Sequence, residues 1–183
     1  MNKKQGIQIF LVAVLILVAG FSRLLPHMHN FSPILGMSLF GAAFIKRKSL
    51  AFIIPISVIM LSDLFLQQVV YPDYQLFYEG WYFQYIAYTL VILAGFGIFE
   101  KVNFGRVVIG ALAAALIFFI VTNFGAWISL PEYTKTPSGL LQAYIAGIPF
   151  FRGTLSSSVL FTGLLFTCYY LIQRFLIAKA ITA

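Results

Sequence analysis

Charge is what this sequence has least of. Only 9% of its 183 residues are Asp, Glu, Lys or Arg, against about 25% in a soluble domain. So little charge excludes a water-facing surface over the whole chain. With 61% hydrophobic residues, the composition points to an integral membrane protein. Cysteine is nearly absent too. The single Cys168 cannot form an internal disulfide, and in the last apolar run it is expected to be buried as a small hydrophobe. The motifs G-x-x-x-x-G-K-[ST], H-E-x-x-H and G-x-S-x-G do not occur, so no nucleotide cradle, zinc-protease helix or nucleophile elbow is encoded. An enzyme is therefore not expected, nor is a cofactor or metal, and the chain cannot hydrolyse ATP by itself.

The charge that is present is distributed unevenly. A net charge of +7 could suggest nucleic acid, but the basic residues sit in small groups at the ends of apolar runs, and no nucleic acid partner is expected. At about 20 residues per span, the length allows six spans in a single domain covering residues 1–183. These are placed at Gly6–Leu25, Pro33–Ile45, Leu50–Gln67, Tyr82–Phe99, Arg106–Ile128 and Thr154–Leu176. The N-terminal run resembles a signal peptide but is long for one, and is read as a retained first helix. With the N-terminus inside, Lys3, Lys4, Lys46, Arg47, Lys48, Lys101, Arg106, Arg174 and Lys179 all face the cytoplasm, opposed there only by Glu100. The other side holds Arg23, Lys135 and Arg152 against Asp63, Asp73, Glu79 and Glu132. By the positive-inside bias, both termini are cytoplasmic. The inside turns are tight and the outside connections long, which places binding on the outside.

The stretch "RLLPHMHNFSPILGMSLFGAAF", Arg23 to Phe44, interrupts the apolar pattern early. Pro33–Ile45 is about 20 Å of helix at 1.5 Å per residue, too short for a hydrocarbon core of about 30 Å. Ser32 is a good N-cap and Pro33 a good first residue. The helix is thus expected to start inside the membrane, beside a polar outward cavity, since irregular backbone at that depth must be buried or solvated. Arg23 beside a helix N-terminus would suit an anion, or it snorkels to headgroups. His27 and His29 could bond backbone, contact a ligand directly or, given a third ligand, bind metal. Asn30 completes the polar stretch.

Other polar residues converge on the same side. Asp63 is the lone carboxylate within an apolar run. It is expected either to pair with Arg23 or Arg152 or to meet substrate, with Gln67 four residues on along the same face. Asn123 and Trp127, also four apart, either glue and anchor helices or grip a ligand. Trp81, Tyr85 and Tyr88 form a helical stripe, read as an interfacial belt or as a stacking lid. "GLLQAYIAGIPFFRG" is expected to be a short surface helix stopped by Pro149, with Tyr144 and Arg152 closing the cavity from above. Two small-residue faces, "GALAAA" and "GMSLFGAA", could serve internal packing or a membrane partner.

The runs "RLLPHMHNFSPILGMSLFGAAF", "SDLFL", "TNFGAW" and "GLLQAYIAGIPFFRGTL" resemble DUF6580, a family of bacterial membrane proteins common in Bacteroidota and labelled as transport proteins. More distantly, length and topology resemble the substrate-binding S components of energy-coupling-factor vitamin transporters. That resemblance implies an all-α, six-helix bundle with both termini inside. It also implies a ligand held near the outer surface by the loops after helices 1, 3 and 5. One departure stands out: the family pattern has a Gly-Asp pair shortly after "PFFR-x-TL", where this chain has Ser156 to Ser158.

The expectation is a multi-pass protein of the bacterial cytoplasmic membrane that binds or transports a small polar or aromatic molecule. Its site would draw on Arg23, His27, His29, Asn30, Asp63, Asn123, Trp127, Tyr144 and Arg152. Partners would be membrane lipid, that small molecule and an energising ATPase module or other membrane subunits. The alternative is a non-transporting subunit of a larger cell-envelope assembly.

Overall fold

Small side chains let one short helix become the axis of this molecule. In the computed structural model, which describes residues 3–25, 30–70 and 77–182 and the side chains of 6–25, 30–69 and 77–175, six α-helices form. They are α1 (Lys3–Ser22), α2 (Ile34–Phe44), α3 (Lys48–Phe65), α4 (Tyr82–Ile98), α5 (Phe104–Ser129) and α6 (Pro137–Thr182), with a π turn over Leu66–Val70 prolonging α3. No strand occurs among the described residues. α2 packs against all five other helices, and ten of its eleven residues are buried. Gly36 admits the backbone of α6, where an added Cβ would lie 2.9 Å from the Phe161 carbonyl carbon. Gly41 admits Pro55 of α3 in the same way, at 2.8 Å. Gly95 of α4 fits over Ala42, at 2.7 Å.

The "GMSLFGAA" face is therefore used inside the bundle. "GALAAA" is too: Gly110 lies against Phe99, and Ala111, Ala114 and Ala115 are buried. Outward faces expose Phe10, Leu61, Ile109, Leu116 and Leu164, apolar surface that suits lipid rather than water. Three helices, Lys48–Val69, Phe104–Ser129 and Pro137–Phe175, are long and apolar enough to cross a membrane. Gly6–Ser22, Ile34–Phe44 and Tyr82–Ile98 are shorter apolar helices.

Contacts between helices define two ends. At one, Gln8 donates to the Phe44 carbonyl at 3.3 Å, the Lys48 ammonium sits 5.4 Å from the Phe96 ring centroid, and Arg106 donates to the Ile98 carbonyl at 2.8 Å. Lys46, Arg47, Lys101 and Arg174 are exposed at this same end, which we call the basic end. At the other, Arg23 meets Asp63 and Asn30 meets Ser157.

Three expectations are corrected here. α6 runs unbroken through Pro149, so there is no separate surface helix. The proline removes one backbone bond, but both flanks are held on α5. Tyr144 Oη donates to the Ile120 carbonyl at 3.0 Å before it, and Ser158 Oγ to the Ala111 carbonyl at 2.8 Å after it. Ser32 does not cap α2. The first turn starts one residue later, with Met37 N–H donating to the Pro33 carbonyl at 2.9 Å, and this leaves the buried Ser32 Oγ without a partner among the described residues. Cys168 is exposed, because the inward positions of that turn of α6 are taken by Leu165, Phe166 and Tyr169.

Candidate ligand-binding cavity

Away from the basic end, two polar features lie side by side. The first is an ion pair. Arg23, just past the end of α1, places Nη2 2.6 Å from Asp63 Oδ1, and both side chains are only 11% exposed. The arginine also bonds Ser62 Oγ and donates to the Ile59 carbonyl at 3.3 Å. Tyr85 Oη donates to the other carboxylate oxygen, Asp63 Oδ2, at 2.8 Å. A carboxylate in an apolar run needs such partners. Arg23 supplies the counter-charge, and Arg152 is exposed elsewhere.

The second feature is a cavity of about 290 Å³ between α4, α5 and α6. It would hold about ten water-sized groups at roughly 30 Å³ each, the small end of ligand pockets. Phe83 and Gln84 of α4 form one wall, Phe118, Phe119, Thr122 and Asn123 of α5 a second, and Gly147, Phe151 and Thr154 of α6 a third. Asn30, Tyr78, Glu79 and Gly80 contribute from the connections. Gly80 adopts φ 84°, a left-handed conformation that glycine accepts without strain, and an added Cβ would lie 2.7 Å from Ser129 Oγ. This close approach pins the α3–α4 connection onto the end of α5. Gly147 allows the carboxamide of Asn123 to lie directly against α6.

The two features touch through the aromatic stripe. Trp81 and Tyr85 lie 5.6 Å apart and Tyr85 and Tyr88 5.8 Å. Tyr88 stacks on Phe118 of the cavity wall at 5.6 Å with an interplanar angle of 13°. Tyr88 Oη also donates to Gln84 Oε1 at 3.2 Å, while Gln84 Nε2 donates to Tyr78 Oη. The stripe is thus packed internally and forms no open lid.

Below the cavity, α6 carries a buried seam of hydroxyls. Ser157 Oγ donates to the Thr154 carbonyl at 3.0 Å, Ser158 is bonded as above, and Thr162 follows with no partner among the described residues. The Ser156–Ser158 departure therefore lies one turn beneath the cavity floor. Further on, rings close the bundle: Phe44 and Tyr169 are 4.0 Å apart, Phe40 and Phe166 5.5 Å, and Phe99 and Phe166 5.2 Å.

Of the residues anticipated for the site, the structure places Asn30 and Asn123 on the cavity wall. Among the described residues it brings none of the others there. Arg23 and Asp63 neutralise each other beside it. Trp127 donates its indole N–H to the Thr134 carbonyl at 2.9 Å and so fastens the α5–α6 connection. Tyr144 binds α5 backbone and packs its ring 5.8 Å from Phe119. His27 and His29 lie outside the described residues. Gln67 falls in the π turn, where the wider repeat interrupts its α-helical register with Asp63. No residue of α2 lines the cavity, so neither half of the expected anion site faces it. Sequence reasoning missed Gln84, Thr122, Gly147 and Thr154. Asn123 carried a usable signal for one of them, the adjoining Thr122, and for the lining residues Phe119 and Ala126, its helical neighbours at four and three residues.

Residues 3–180 match a family described as a family of unknown function, DUF6580. No curated protein and no solved structure matches the chain.

Proposed function

The chain belongs to the DUF6580 family, whose description assigns no activity, and from the geometry we propose that it is a membrane protein that binds a small molecule and passes it across the bilayer. The cavity carries this reading. It has apolar rings and convergent polar groups on three helices, the usual composition of a small-molecule site, and it lies at the end poor in basic residues. In this reading all six helices lie within the bacterial cytoplasmic membrane. The basic end is cytoplasmic by the positive-inside bias, and the cavity opens outward. The ring cluster of Phe40, Phe44, Phe99, Phe166 and Tyr169 closes the inner side, so release inward requires these rings to part, by a tilt of the bundle or through an energising partner subunit. The rival role as a packing subunit of an envelope assembly loses its sequence support, because both small-residue faces are occupied within the bundle.

The test is native mass spectrometry of the full chain purified gently from its own membranes. A small adduct is expected on the unmodified protein. It should vanish in Thr122→Trp, which fills the cavity from α5, and persist in Trp127→Phe, which lies outside it. An adduct retained by Thr122→Trp, or no adduct with stoichiometric protein partners instead, overturns the proposal.

A further inference from the structure

The polar groups around the cavity have their hydrogen-bonding capacity fixed by the helices that carry them. Thr122 has one hydroxyl proton, and it is donated to the Phe118 carbonyl four residues back at 2.7 Å. Thr154 does the same with the Phe150 carbonyl at 3.3 Å. Each hydroxyl therefore offers the cavity lone pairs only. Asn123 donates one Nδ2 proton to the Phe119 carbonyl at 2.7 Å and keeps a second amide N–H, while its Oδ1 accepts no hydrogen bond from the described residues. Gln84 donates one N–H to Tyr78 and accepts from Tyr88, which leaves one amide N–H uncommitted. Glu79, an acceptor-only group when ionised, is the lone charged side chain among the described lining residues.

Two positive groups at this end, Arg23 and Lys135, are committed to other partners. Arg23 is matched by Asp63. Lys135 donates to the Trp127, Leu130 and Tyr133 carbonyls at 2.6, 2.8 and 3.2 Å, closing the C-terminus of α5. Around these acceptors stand the rings of Phe83, Phe118, Phe119 and Phe151, and an aromatic face attracts cations. An anion here would meet a carboxylate and unsatisfied lone pairs. A donor-bearing cation would meet acceptors and aromatic faces.

We propose that the cavity between α4, α5 and α6 selects a small organic cation, an ammonium or amidinium on a compact aromatic or alkyl body, with Glu79 as its counter-charge and Thr122, Thr154 and Asn123 Oδ1 as its acceptors. This rests on the reading of the cavity as a small-molecule site and adds the sign and donor character of the ligand. Single-ring amines match the volume, whereas a nucleotide matches neither volume nor sign and a dicarboxylate has the wrong sign.

Three near-isosteric probes separate the ideas: benzylammonium, benzyl alcohol and benzoate, titrated against the full chain in lipid nanodiscs by calorimetry. Thr122→Trp, with its cavity filled, subtracts partition into lipid. Benzylammonium is expected to bind at least tenfold more tightly than benzyl alcohol, since a charge-assisted hydrogen bond adds about that factor, and benzoate should bind weakest. In Glu79→Gln the ratio of benzylammonium to benzyl alcohol affinity should fall about tenfold. Benzoate binding tightest, or equal binding of benzylammonium and benzyl alcohol, overturns the cation assignment and leaves the cavity reading standing. An unchanged ratio in Glu79→Gln overturns the counter-charge. If no probe shows binding sensitive to Thr122→Trp, the cavity reading fails and the cation assignment with it.

Discussion

Replacing Asp63 by alanine should be among the most damaging single changes outside the apolar core, and removing its partner as well should restore much of the loss. At a separation of 2.6 Å the Arg23–Asp63 attraction is about 6 kcal/mol at an effective dielectric of about 20. Taking two largely buried ions out of water costs several kcal/mol each. The intact pair is therefore close to neutral against an apolar replacement. A stranded member is not: Asp63→Ala leaves the Arg23 guanidinium, among the described residues, with Ser62 and the Ile59 carbonyl and removes one acceptor of Tyr85. The expected cost is about 3–5 kcal/mol, a large share of a typical 5–15 kcal/mol of stability. The double variant Arg23→Met/Asp63→Leu should fall within about 1–2 kcal/mol of the original protein. Equilibrium unfolding in mixed micelles with rising SDS fraction would measure it, followed by tryptophan fluorescence, because Trp81 touches Tyr85. Additive losses in the two single variants, with a coupling energy inside about 0.5 kcal/mol of zero, would refute the reasoning.

Three further outcomes can be read by the same unfolding assay. Thr162→Val should raise stability by about 1 kcal/mol, because the hydroxyl is fully buried without a partner among the described residues and a methyl of the same shape removes the desolvation cost. Phe40→Ala should cost about 3–5 kcal/mol. Its ring is fully buried and meets Phe44, Phe166 and Tyr169 within 5.6 Å, so no neighbour can collapse into the void without breaking another ring contact. Gly80→Ala should cost about 1 kcal/mol or more from the left-handed backbone alone. It should also loosen the α3–α4 connection from Ser129, visible as faster amide exchange over residues 77–82.

The short second helix, the polar residues around it and the gathering of basic groups at one end were legible in the sequence, because each depends on spacing and charge along the chain. The pairing of Arg23 with Asp63 was one of three alternatives the sequence left open, beside a pair with Arg152 and a contact to substrate. Arg152 was as good a candidate until α6 carried it to an exposed position. Pro149 misled for a physical reason: a proline ends a helix in water, whereas here side-chain and backbone contacts to α5 on both sides hold the helix together. The cavity wall was hidden because its members, Gln84, Thr122 and Thr154, are isolated polar residues in three helices. Their convergence depends on rotations and close approaches set by Gly80, Gly125 and Gly147, where an added Cβ would meet Ser129, Phe83 and Asn123 respectively.

The acceptor character of the cavity follows from the same apolar setting. In water a threonine on a helix exchanges its proton freely between solvent and backbone. Among apolar neighbours an uncommitted donor is costly, so Thr122, Thr154 and Ser157 turn their protons back onto nearby carbonyls of their own helix, and Asn123 does so with its amide. What the threonine hydroxyls leave toward the cavity is oxygen lone pairs. The sign of recognition is thus set by the helices before any ligand arrives, and one carboxylate at Glu79 reinforces it. A substitution that removes the acceptor without changing size tests that logic. Thr122→Val deletes an acceptor and should weaken an ammonium ligand more than a neutral one. Thr122→Ser keeps the back-bonded hydroxyl and should preserve the preference. Equal affinities for the ammonium in Val and Ser variants would show that lone pairs at this position play no part.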